Sequence, residues 1–326
     1  AKFREELARI AALTPADGNA AMQRWVTRPN LSLAVVPGER TDKGETMGGW
    51  GDEATTPPPA PDARKPAPAI QRGPARTAPP VAPVADLSFP AVERARLSNG
   101  IPVALARRGA VPKVAISLSF DAGYAADAGG APGAQSLMLD LLSEGTTTRS
   151  SIAIAEEQER LGASIQTGAG PDASTVSLSA LTANLAPSLA LMADVVRNPA
   201  FAPAEVARLK DQRHAEIAQA KSSPVDLARR MVPQVLFGPG HPYGLPGDGL
   251  GETHAVAALT PDAIRATHDT WLRSDLARIT VTGDITMEQL LPLLETAFGQ
   301  WSAPATARPV KRIDAAVPAP RPRLVL

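Results

Sequence analysis

The sequence predicts an α+β fold in which short strands and helices alternate within one module, and part of that module occurs twice. Three observations carry this. Residues 113–120 place Val114, Ile116, Leu118 and Phe120 at every second position, and residues 174–181 alternate in the same way, the period of a half-buried strand. Longer stretches with helix caps lie between and after these strands. A helix–strand unit near residues 13–38 returns near 259–283.

At 326 residues the chain has room for one large domain or two ordinary ones. A hydrophobic content of 44% with 20% charged residues is that of a globular protein, not a disordered one. Lys+Arg and Asp+Glu both number 33, so no global field draws in nucleic acid or an anionic membrane. Cysteine is absent, which excludes disulfides and thiolate zinc sites. No apolar run reaches the ~18 residues that span a bilayer. The chain opens without methionine in what reads as mid-helix and stops at Arg323-Leu-Val-Leu326 like a strand cut short, so the expectation is a fragment.

In order, residues 1–13 set Phe3, Leu7, Ile10 and Leu13 on one side of an amphipathic helix. Thr14 as N-cap and Pro15 at the first helical position open a second helix that runs through Met22 and Trp25. A strand over 31–36 is closed by Pro37-Gly38. Leu13-Thr14-Pro15 and Trp25-Val26 then return 246 positions later as Leu259-Thr260-Pro261 and Trp271-Leu272, again before a strand. A repeat at this distance indicates duplicated domains, not a solenoid; two unrelated units with a shared capping solution are the alternative. Residues 57–83 hold ten prolines and almost no large apolar residue, the composition of an extended linker.

Ordered sequence resumes at Phe89, with strands over 95–98 and 101–107 joined by Asn99-Gly100. The strand over 113–120 leads into the stretch around which the chain is organised, 120–149. Gly129, Gly130, Pro132 and Gly133 sit where a strand-to-helix connection needs positive or fixed φ. A helix over 134–143 follows, apolar on nearly every side and stopped by Gly145. Ser150 and Ser151 cap the next helix, which runs to Leu161-Gly162. Strands over 164–168 and 174–181, helices over 184–197, 203–221 and 225–237, a loop over 238–244, a strand over 278–282 and a helix over 287–298 complete the module near Trp301.

The landmarks run in one order: Asn99-Gly100, Phe120-Asp-Ala-Gly123, Gly145-Thr146, Leu161-Gly162-Ala163, Asn198-Pro199-x-Phe201, Ser223-Pro224, His241-Pro-Tyr-Gly244, Leu259-Thr-Pro261, Gly283-Asp284 and Phe298-Gly-x-Trp301. That order resembles one domain of the M16 metallopeptidases, the family of insulin-degrading enzyme, the mitochondrial processing peptidase and the pitrilysins. The resemblance implies an M16/LuxS-like metallohydrolase-type domain: a mainly antiparallel sheet packed by helices, repeated in a multi-domain chain whose halves close around a peptide chamber. It divides the chain into a tail of a preceding M16 domain (1–45), a Pro/Ala-rich linker (46–88), an M16 domain (89–304), and a linker with the start of a following domain (305–326).

Active members carry His-x-x-Glu-His on the helix before Gly-Thr. Counting back from Gly145-Thr146, those positions hold Ser136-Leu137-Met138-Leu139-Asp140, so both histidines and the glutamate are missing at Ser136, Leu139 and Asp140. The third zinc ligand of the family falls on Glu216, whose bland reading is a solvated helix glutamate. Zinc needs about three protein ligands, a water and a nearby base, so no metal or catalytic residue is expected in this segment. A site rebuilt from Asp140, Glu216 and a loop histidine is the third possibility weighed. His214, His241, His254 and His268 show no ligand spacing, and His241 reads as a turn-packing residue. No Gly-x-Ser-x-Gly or phosphate-loop motif occurs, and the glycines at 123–133 do not match a dinucleotide fingerprint.

The resemblance therefore implies a non-catalytic half of a zinc peptidase, which closes the chamber and positions peptide for a zinc-bearing half in the same polypeptide or a partner subunit. The linker over 57–83 would be the tether between halves. Its partners would be peptide or unfolded protein and that catalytic half, with no nucleic acid and no membrane span; the compartment the resemblance points to is the periplasm. The alternative is a catalytically dead M16-like scaffold or assembly subunit.

Overall fold

The alternation of Val114, Ile116, Leu118 and Phe120 builds the middle of a six-stranded sheet, and the other elements are laid around it. The computed structural model describes residues 2–28, 90–311, 313, 314 and 316–319. The expected strand over 31–36, the linker over 57–83 and the last residues of the expected following domain, 320–326, lie outside the described residues. The chain separates into two units, Ala1–Pro83 and Val84–Leu326.

The first unit contains α1 (Lys2–Ala11) and α2 (Pro15–Trp25). Thr14 starts α2 with a capping box: its hydroxyl accepts from Asp17 N at 3.3 Å, and its own N–H donates to the Asp17 carboxylate at 2.9 Å. Leu7, Ile10, Leu13, Met22 and Trp25 are exposed.

In the second unit, β1 (Val92–Arg96) and β2 (Pro102–Arg107) form a hairpin. The first strand begins earlier than the sequence suggested, and 97–100 are spent on the turn. Leu97 and Ile101 close it, with Leu97 N donating to Ile101 O at 2.9 Å and Gly100 at φ 91. Asn99 serves the core as well as the turn, since its amide donates to Phe298 O at 2.8 Å and Trp301 O at 2.9 Å.

The chain continues through β3 (Lys113–Phe120), α3 (Ala134–Leu141), α4 (Ser151–Leu161), β4 (Ser164–Ala169) and β5 (Ser174–Leu181). Then come α5 (Leu185–Arg197), α6 (Pro203–Ser222), α7 (Pro224–Phe237), the short α8 (Thr253–Ala258), α9 (Pro261–Trp271), β6 (Ala277–Gly283) and α10 (Met287–Leu294). The sheet order is β1-β2-β6-β3-β5-β4, with β2 and β6 parallel and the other neighbours antiparallel. Register lines up Leu105, Val281, Ile116 and Leu178 across four strands, with Val103, Ile279, Leu118 and Val176 as the next row. All eight are buried, which makes these rows the floor of the core.

Two expectations are corrected. Of Gly129, Gly130 and Gly133, only Gly133 has positive φ, at 101; Tyr124–Gly129 forms a 3-10 turn instead of an irregular crossing. The last helix is not continuous to Phe298, because after Leu294 it widens into a π turn over Glu295–Gly299. That turn follows Pro292, which has no N–H to give, and Glu295 there accepts from Ser98 N at 2.7 Å and Ser98 Oγ at 2.8 Å.

The helix at the centre, α3, is seated by a buried carboxylate. Asp127 accepts from Gly133 N at 3.0 Å and Gln135 N at 3.2 Å, two of the donors that a helix start leaves unpaired. Burial pushes the Asp127 carboxyl up to about 7, against the backbone N–H groups that pull it down. Its folded value thus exceeds its unfolded one, so its protonation stabilises the fold fully below about pH 4, and that contribution is lost as pH rises through about 7. Accordingly, the urea midpoint is expected to fall between pH 5 and pH 8, with Asp127→Asn showing a shallower fall. Parallel slopes for the two proteins would reject this assignment.

Candidate functional site

α3 carries three polar side chains: Gln135, buried and accepting from Ser174 Oγ at 3.0 Å, and Ser136 and Asp140, one helical turn apart on another face. The helix is otherwise buried, with Leu137, Met138, Leu139 and Leu141 all in the core. Facing it, α6 runs its own apolar stripe of Val206, Leu209 and Ile217, and the position between the last two is Arg213. The Arg213 side chain is only 5% exposed. A buried guanidinium needs its donors and its charge satisfied, and the α3 face does both.

Arg213 donates to Ser136 Oγ at 2.8 Å and is hydrogen-bonded to the Asp140 carboxylate. Its third nitrogen lies 3.2 Å from Glu216 Oε2, one turn along α6. Ser136 Oγ in turn donates a hydrogen bond to Gly249 O at 2.6 Å, which ties the helix to the loop before α8. Gln212 holds the other Glu216 oxygen at 2.9 Å. The structure brings Ser136, Asp140 and Glu216 together around an arginine. Leu139 is not part of the group, since it points into the core. Glu216, read from sequence as a solvated helix glutamate, is in addition held by Arg213 and Gln212.

Burial pushes the Asp140 carboxyl above the usual carboxylate range; Arg213 pulls it down, and Glu216 and Glu144 push it further up. The carboxylates remain open to solvent, with Asp140 47% and Glu216 40% exposed. Measured against zinc, this donor set does not fit. It offers one hydroxyl and two carboxylates, no imidazole, and a cation hydrogen-bonded between them. Among the described residues there is no group of three or more His, Cys, Asp or Glu that could hold a metal ion. Two of the four histidines are used in packing: His241 accepts from Tyr243 N at 3.0 Å and stacks on Phe237, and His268 lies 2.8 Å from Val196 O. Sequence reasoning missed Arg213. The signal was present, since an arginine in the stripe 206, 209, 213, 217 must be paired or functional.

Beside α3 lies β4, at the edge of the sheet. Its sequence SIQTGA carries no charge and no proline, whereas the other edge, β1, reads VERAR. Charged residues blunt an edge against pairing, so β1 is protected and β4 is not. Gly170 N donates back to Ala173 O at 2.8 Å, and alternation then turns the N–H groups of Ile165, Thr167 and Ala169 outward. Gln158 takes the first of these at 2.6 Å, and nothing lies within 4 Å of where a Gly168 Cβ would be. Near Gly249, a cavity of about 1050 Å³ opens between Tyr124, Leu250, Val225 and Val232.

Comparison with known proteins matches the sequence and the fold to peptidases. Residues 102–241 match the family model "Insulinase (Peptidase family M16)", and residues 258–325 match "Peptidase M16 inactive domain". A Rickettsia bellii protein named an uncharacterized zinc protease is 26% identical over 188 residues, covering 58% of this chain and 45% of the relative. A Mycobacterium leprae protein of like name is 26% identical over 167 residues, 51% of this chain and 37% of its own length. The chain thus spans less than half of these curated relatives. Among solved structures, the M16 inactive domain from Pseudomonas fluorescens matches at TM-score 0.61 with 29% identity, covering 66% of this chain and 53% of that one. A protease from Helicobacter pylori shares the fold at TM-score 0.64 with 18% identity, over 71% of this chain and 55% of its own. The helix α3 falls in the insulinase segment, not in the segment described as inactive, which corrects the expectation of an inactive domain alone. The chain belongs to the M16 insulinase family of peptidases and carries both of its segments.

Proposed function

We propose that this chain is the non-catalytic half of an M16-type zinc peptidase, which helps enclose a peptide and presents it to a zinc-bearing half elsewhere in the whole protein. One observation carries the reading: a buried arginine stands among the residues where the family holds its metal, and it consumes both carboxylates. Such a half would act through orientation and enclosure, not bond chemistry. An extended peptide would add to the free edge of β4, using the outward N–H of Thr167 and Ala169, and would run beside α3. The unprotected edge favours this over a scaffold with no peptidase role, which has no use for it.

Three outcomes are expected. Dialysed against trace zinc, the purified chain should retain less than about a tenth of an equivalent and leave a quenched long peptide uncut. Stoichiometric zinc that disappears in Glu216→Ala would mean a metal site that this geometry does not predict. Thr167→Pro removes an outward donor from an edge strand where proline is tolerated, and should weaken binding of a carboxymethylated, unfolded polypeptide about tenfold or more. Unchanged affinity would remove β4 from the binding surface. Arg213→Met strands two half-exposed carboxylates and should lower stability by about 1–2 kcal/mol in urea unfolding, less than for a fully buried pair. A stabilised variant would show that the arginine is not holding the site together.

A further inference from the structure

The sheet has one face on the core and one turned away from it, and charge is distributed unevenly on the second. Glu93 is the one acidic residue in the six strands, and its register partner, the buried Leu105, places it on the core side. Arg94 and Arg96 alternate with it and stand on the outer side, opposite Ala104 and Pro102. Arg278 joins them from β6, since Val103 pairs with Ile279 and the residue before each shares a row. That row reads Arg96, Pro102, Arg278, Ser119 and holds no carboxylate.

The three arginines flank a cavity of about 440 Å³ that is floored by Pro102 and Ala104 and lined by no acidic residue. Arg94 and Arg96 hydrogen-bond only to carbonyls among the described residues, Val92 O at 3.5 Å and Gly100 O at 3.0 Å. Arg278 has no partner among them. Guanidinium groups with five donors each are thus left with most of their capacity unused. An adjoining cavity of about 680 Å³ shares Arg96 and Arg278 and brings in Asp121, Asp172 and Asp275. These acids are already engaged: Asp121 lies 2.8 Å from Lys311 Nζ, Asp172 accepts from Tyr243 Oη at 2.5 Å, and Asp275 lies 2.8 Å from Arg273. Protection of a sheet edge accounts for charge on β1, but not for an arginine on the inner strand β6 beside the same cavity.

We propose that Arg94, Arg96 and Arg278 bind an extended acidic peptide segment with Asp or Glu at alternate positions. Arg94 and Arg96 are two residues apart on one side of a strand, about 7 Å, the same spacing as side chains i and i+2 of an extended peptide. Arg278 stands two strands across, about 10 Å from Arg96. Each guanidinium is a planar fork that can take a carboxylate through two bonds. A compact anion such as phosphate would need donors converging on one point. Here the arginines are spread along a line, every lining residue belongs to a strand, and no helix start faces the cavity. The inference does not rest on the β4 reading, because β1, β2 and β6 form the opposite half of the sheet.

The probe is a rhodamine-labelled heptapeptide of serine with glutamate at three alternate positions, titrated with the 326-residue chain at low salt and read by fluorescence anisotropy. It should bind about tenfold or more tightly than the same peptide with glutamine in place of glutamate. Arg278→Gln should weaken binding of the acidic peptide about fivefold or more. The urea midpoint should stay where it was, since this side chain is exposed and pairs with nothing among the described residues. Equal affinity for the two peptides would overturn the proposal, as would an acidic preference that survives in the Arg94→Gln/Arg278→Gln double variant. Displacement by millimolar inorganic phosphate, but not by chloride at the same ionic strength, would reassign the site to a compact anion. A chain that runs as a dimer and is split by Arg278→Gln would give the face to a second copy; either result defeats the peptide assignment.

Discussion

The constraint on which the 84–326 unit depends is that α3 must be kept dry. Four large side chains in a helix of eight residues have no access to water, so the helix cannot exist without neighbours on almost every side. α9, α6 and β4 supply them, and the Asp127 carboxylate supplies partners for its first N–H groups. The remaining polar strip, Ser136 and Asp140, then has to be satisfied from outside the helix. Arg213 does this from α6, held there by a stripe whose other members are apolar. Local chemistry and long-range packing are thus solved by one contact between two helices.

Much of this fold is written locally. Alternation located β3 and β5, Asn99-Gly100 located the first hairpin, and the threonine and serine caps located the starts of α2, α4 and α9. Features that depend on distant partners were not legible. β6 enters between β2 and β3, so two strands close in sequence are separated by one that arrives long after them. Period-two patterning says that a strand is half buried but not which strand lies beside it. The π turn after Leu294 exists together with a bond from Glu295 to Ser98 across the module, and no window of sequence contains both. The candidate site divides in the same way: counting back from Gly145-Thr146 pointed to Ser136, Leu139 and Asp140, and the family resemblance to Glu216, but only coordinates show that Arg213 joins Ser136, Asp140 and Glu216.

The two sheet edges give the molecule a polarity of purpose. β1 is charged along its length and is closed to further pairing. β4 is small, uncharged and open, and it lies next to α3. The backbone surface of β4 does not depend on which side chains α3 presents. A surface that binds through main-chain groups survives changes of side chain that a metal centre cannot.

The arginine between α3 and α6 also makes its neighbours depend on one another. Installing the motif His-x-x-Glu-His would put histidines at 136 and 140 and a glutamate at 139, where Leu139 is enclosed by apolar neighbours. A carboxylate arriving there alone would be buried without a partner. An imidazole arriving at 140 would take away a counterion of a guanidinium that has no exit to water. Removing Arg213 first would leave Asp140 and Glu216 side by side without their cation. Each of these single changes leaves a charge in or beside the core without its partner, so the four side chains hold one another in place: none can be exchanged alone without cost to the other three.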